Sequence, residues 1–166
     1  VTTKVRTVLA VFFMAALLTG CRSEGMALRD AKTISVVRPG EMDRVALPVR
    51  LQWRANGIRP NPDLRGAGPF FAIFVDRPPV AAGTGLRKLL DEDCRTRPGC
   101  PDQAWLADHN VYVTGKPEVT LSRIKAVTGS RVGADNSHRA TIVLIDGDGV
   151  RVDESAASVE FQVVES

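Results

Sequence analysis

Aromatic side chains make up only 5% of this 166-residue chain, with a single tyrosine, and histidine occurs twice, as His109 and His138. With a formal net charge of only +3, the sequence shows no basic stripe with interleaved rings, so nucleic acid is not an expected partner. No Gly-x-Ser-x-Gly elbow and no His-Glu-x-x-His helix occurs, which removes two common routes to hydrolysis. The longest apolar run, Val8 to Leu18, has 11 residues, whereas a helix crossing hydrocarbon needs roughly 20. Helical periods between the apolar strands are also missing, apart from Leu86 to Leu90, which argues against a parallel α/β fold.

The short apolar run is informative for what flanks it. Lys4 and Arg6 precede it and Leu18-Thr19-Gly20-Cys21 follows it, the layout of a secretory signal. Leu-Thr-Gly-Cys resembles the lipobox of bacterial lipoproteins. The resemblance implies that Cys21 receives a diacylglyceryl group on sulfur and becomes the first mature residue, with residues 1–20 as signal peptide. It also favours the outer membrane where there are two, because Arg22 rather than Asp follows the cysteine. Without Lys4 and Arg6 the balance becomes 20 basic against 19 acidic residues, so the excess of positive charge belongs mostly to the targeting segment. Residues 21–32 lack an apolar period and read as a lipidated tether, and residues 33–166 are long enough for one domain.

Export permits disulfides, and Cys94-Arg-Thr-Arg-Pro-Gly-Cys100 pairs the remaining cysteines across a Pro98-Gly99 turn. Closing so small a ring contributes roughly 2 kcal/mol on the chain-entropy account. The competing reading is a metal site, for which His109 is the only nearby soft ligand. No cofactor is expected.

Period two dominates the domain. Val45, Leu47, Val49, Leu51 and Trp53 alternate with more polar positions, predicting one strand with a wet face, at an edge or bulged at Pro48. Phe70 to Val75 and Ala140 to Ile145 are apolar on both faces and read as central strands. Ile34 to Val37, Val111 to Val113, Val119 to Leu121 and Val159 to Val163 bring the count to about seven, with Asp146-Gly-Asp148-Gly as a turn returning into Val150 and Val152. The expected fold is an all-β, antiparallel sandwich with one long stapled loop. Phe71 to Asp76, His138 to Leu144 and the ending from Ala140 to Val163 resemble immunoglobulin-like or fibronectin-type bacterial domains, among them small periplasmic domains of unknown function. Members of that periplasmic group carry histidine before the middle strand, where this chain has Gly68-Pro69-Phe70-Phe71, so the resemblance brings no metal site with it.

The connection from Arg77 to His109 is longer than a sandwich needs. Gly83 to Asp93 can form a short helix with Leu86, Leu89 and Leu90 on one side. Trp105 and Leu106 either dock this loop on the core, the favoured reading, or offer a partner an apolar contact. Asp91, Glu92 and Asp93 read as a solvated helix end. Ser137 and His138 are strand neighbours that point to opposite faces, poorly placed as nucleophile and base. Arg123, Lys125, Arg131 and Arg139 give one segment a positive cast that would suit lipid headgroups or an anionic wall polymer. The sequence thus predicts an envelope lipoprotein with a binding or structural module, held to a membrane through Cys21. A metal-handling domain built on His109 and His138, or a hydrolase, are its rivals.

Overall fold

The computed structural model describes residues 33–64, 67–125 and 136–164. Cys21, the signal and the tether therefore lie outside the described residues, as does Arg131. Among the described residues eight strands form two sheets, β1-β3-β6 and β2-β8-β7-β4-β5, making the domain all-β with short helical insertions.

The first departure from expectation is at Pro48. The predicted single strand from Val45 to Trp53 divides into β2 (Asp43–Val45) and β3 (Val49–Asn56), which belong to different sheets. β2 is an edge strand paired in parallel with β8 (Arg151–Val163), so the sandwich is not purely antiparallel. β3 is central in its sheet, between β1 (Thr33–Arg38) and β6 (Glu118–Leu121). Proline has no N–H to offer a ladder, and Leu47-Pro48 is where the chain changes sheets. Leu47 consequently leaves the inward row and stands 40% exposed, while Val49, Leu51 and Trp53 keep it.

β4 (Phe70–Val75) lies between β5 (Val111–Thr114) and β7 (Ser137–Ile145), and β7 continues through a hairpin into β8. Asp146 Oδ1 accepts from the amides of Asp148 and Val150, so Asp146-Gly-Asp148-Gly is the hairpin turn that the sequence suggested. The return is a single 13-residue strand rather than two short ones. Inward-facing Phe71, Ile73 and Val75 meet Leu51, Trp53, Ile142 and Phe161 in the core between the sheets. Trp53 packs edge-on against Phe71, with ring centroids 5.2 Å apart.

The two-faced apolar strands have a specific cause. Ala72, Phe74, Val143 and Ile145 point away from the sandwich core and are covered by Val80, Leu86, Cys94, Trp105 and Leu106 from the long connection. The connection is thus a third layer over the outer face of the five-stranded sheet. It contains a 3-10 turn at Leu86–Leu89, helix α1 at Glu92–Thr96 and helix α2 at Gln103–Asp108. The predicted helix over Gly83 to Asp93 reduces to the 3-10 turn, and α1 begins where it was to end. Asp91 caps α1 by accepting from the Cys94 amide at 2.8 Å, with Glu92 and Asp93 in the first turn, where carboxylates meet the free N–H groups. Asp102 caps α2 in the same way through the Trp105 amide at 2.7 Å. A helix this short shows no readable apolar period, which is why α2 escaped the sequence reading.

Candidate functional site

The connection leaves β4 at Asp76 and joins β5 at Asn110, and these two residues organise a buried polar cluster at the strand ends. Both are buried and both adopt left-handed backbone, φ 54° and 55°, a conformation that Asp and Asn tolerate better than other residues with a Cβ. Asp76 Oδ1 accepts from the Arg139 amide at 2.9 Å, and Asp76 Oδ2 lies 2.6 Å from His138 Nδ1. The Asn110 side chain donates to the Lys125 carbonyl at 2.7 Å and accepts from the Lys125 amide at 3.0 Å. Its own carbonyl accepts from the Val75 amide. Two strand ends, β4 and β7, and the chain beyond β6 are thereby clamped together.

His138 is held by a buried carboxylate, an arrangement that fixes ring orientation in many catalytic and metal sites. Among the described residues, however, no hydroxyl or thiol hydrogen-bonds this ring, and no three His, Cys, Asp or Glu side chains gather to hold a metal ion. His138 and Phe161 lie with ring centroids 5.9 Å apart. The chemistry on view is a strand clamp.

His109 belongs to a different environment. Its ring stacks on Trp105 with centroids 3.8 Å apart, and Nδ1 lies 2.7 Å from the Trp105 carbonyl. A carbonyl can only accept, so Nδ1 carries the hydrogen. Nε2 faces Asp91 Oδ2 at 3.7 Å, linking the start of α1 to the end of α2. Trp105 and Leu106 are 8% and 4% exposed, so they dock the connection on the sheet and are not presented to a partner in this structure. Cys94 and Cys100 lie in disulfide geometry with Cα atoms 5.4 Å apart, Cys94 buried in the same layer. The chain matches no protein-family model, no curated protein and no solved structure.

The expected positive cast is largely cancelled. Arg123 and Lys125 both pair with Asp108, the lysine at 3.1 Å, and Arg139 pairs with Glu160. The hydrogen bond from Lys125, helped by the nearby Arg123, holds the Asp108 carboxyl below the usual aspartate range. Glu160 conversely raises the Arg139 guanidinium, and Arg50 lowers Glu118 through a hydrogen bond across β3 and β6. Burial raises the Tyr112 phenol, whose hydroxyl donates to the Arg123 carbonyl at 2.8 Å.

Sequence reasoning passed over four residues that matter here: Asp76, Arg77, Asn110 and Arg151. Asp76 and Asn110 carried a faint signal, since each ends or begins an apolar strand and is a residue type that accepts positive φ. Arg151 carried the opposite signal, because a charge beside a hairpin turn reads as solvent-exposed. It is 6% exposed, with Nη1 donating to the Val80 carbonyl at 2.8 Å and Nη2 to the Glu154 carbonyl at 3.0 Å.

Proposed function

We propose that the chain is a lipid-anchored lipoprotein of the bacterial cell envelope, held through Cys21, whose sandwich is an immunoglobulin-like binding or structural module rather than an enzyme. The observation that carries the reading is the pairing geometry of Cys94 and Cys100, compatible with an oxidising compartment, behind a sequence that ends its apolar leader in Leu-Thr-Gly-Cys21. Strand order supports the immunoglobulin-like assignment. β1, β3 and β6 correspond to strands A, B and E of one sheet, and β4, β7 and β8 to C, F and G of the other, with β5 added beside C as in variable-type domains. Trp53 on β3 and Phe71 on β4 meet between the two sheets, a B-to-C contact in this correspondence. Asp76 is engaged by a backbone amide and His138 together and closes strand ends, which supports a non-catalytic role.

Thr33 lies beside Asn56, whereas Asp76, Asn110 and Lys125 sit at the other end of the strands, beyond Val75 and Leu121. On this reading the tether joins the domain at the end of the strands opposite that polar cluster. Replacing Cys21 by Ser and following labelled fatty acid and membrane fractionation tests the anchor: label retained by the variant, or an unlabelled wild type, overturns it. Crosslinking in the native envelope then identifies the partner, an envelope protein or a wall polymer.

A further inference from the structure

The geometry points to a hinged strap: residues 77–109 form a unit that opens from the five-stranded sheet without unfolding the sandwich. Three independent observations carry this.

The first is that the apolar contacts divide cleanly. The core between the sheets contains no residue of 77–109, while the buried apolar side chains of the strap pack on the outward side chains of β4, β5 and β7. Removing the strap would bare Ala72, Phe74, Val143 and Ile145 but would leave the inter-sheet core closed.

The second is where the hinges lie. Asp76 and Asn110 flank the strap, and their side chains bond to His138, Arg139 and Lys125, all in the sandwich, so the points of attachment stay fixed whatever the strap does. Within the strap the regular elements are four, five and six residues long, too short to be helical alone. The Cys94–Cys100 pair is internal to the strap and ties it to nothing else.

The third is an incomplete clasp. Arg151 holds the Val80 carbonyl, and Arg77 draws the neck together by donating to the His109 carbonyl at 2.9 Å. Among the described residues the Nε of each arginine is buried with no hydrogen-bond partner, and burial pushes the Arg77 guanidinium below its ordinary value. Closing the strap therefore leaves two charged donors unsatisfied, which opening to water would relieve. The backbone links to the hairpin are few: Gly83 N to Arg151 O at 2.9 Å, Arg151 N to Thr84 O at 3.0 Å and Leu86 N to Gly149 O at 2.8 Å. The device gates the apolar strip around Phe74, and it stands independently of the membrane anchor.

Native-state hydrogen exchange of the whole chain, over rising sub-denaturing urea, tests it. Amides of Leu86, Arg95 and Leu106 are expected to share an opening with a shallow urea dependence, at least tenfold more frequent than the opening that exposes the β4 and β7 amides. Leu106→Ala should accelerate exchange in the strap at least tenfold and leave β4 and β7 unchanged. Merging of strap and sheet amides into one steep isotherm in the wild type, or equal acceleration of both by Leu106→Ala, overturns the proposal. If that variant fails to fold, the wild-type isotherms alone decide.

Discussion

Replacing Trp53 discriminates between the observed strand register and its alternatives, because three substitutions along one stretch of chain have three different expected costs. Trp53 is 3% exposed and packs edge-on against Phe71, so Trp53→Ala removes transfer energy and leaves a cavity, about 3 to 5 kcal/mol. Against a typical stability of about 5 to 15 kcal/mol that is a large fraction. Trp53 Nε1 is buried without a hydrogen-bond partner among the described residues, so the indole contributes volume and no polar contact. Trp53→Phe should therefore cost much less, about 1 to 2 kcal/mol, since the lost ring area is partly offset by removing a buried donor that is worth about 1 to 3 kcal/mol when unmade. Leu47, in the same predicted row but exposed where the chain changes sheets, should tolerate alanine within about 0.5 kcal/mol. Urea melts of the three variants give the differences, with an unchanged slope confirming a common unfolding transition. Equal midpoints for Trp53→Ala and Leu47→Ala would refute the register, and a Trp53→Phe cost matching Trp53→Ala would refute the unpartnered indole.

Mass spectrometry of unreduced, alkylated peptides should find Cys94 joined to Cys100, and replacing both by alanine should cost roughly 2 kcal/mol; two alkylated thiols in the wild type would contradict the pairing. Asp76→Ala should destabilise by about 3 kcal/mol in denaturant melts, because it strips the Arg139 amide and His138 of a buried acceptor and puts a less tolerant residue at φ 54°. Asp108, held low by Lys125, supports the fold above the unfolded aspartate pKa and loses that support as pH falls through its lower folded value. Carboxyl NMR titration should show the midpoint rising towards the ordinary range in Lys125→Met, and an unmoved midpoint would exclude the lysine as the cause.

The strands and turns were legible in the sequence because their causes are local. Period-two rows such as Val49, Leu51 and Trp53, the apolar runs at Phe70 and Ala140, and the Asp146 turn each follow from side-chain alternation or from a few neighbouring residues. The cysteine pairing was legible for the same reason, six residues of chain with a Pro-Gly bend fixing the distance. Partnership between distant segments was decided only by the tertiary structure. Local pattern does not show that Pro48 marks a change of sheet, that β2 runs parallel to β8, or that the outer face of β4 is apolar because a stapled strap covers it. Nor does it bring Asp76 to His138, 62 positions away, or bury Arg151 against the carbonyl of Val80, 71 positions away. Alternation records how much of a side chain leaves water, and burial by either sheet or strap leaves the same record in the sequence; which surface does the burying is settled when the chain folds back on itself.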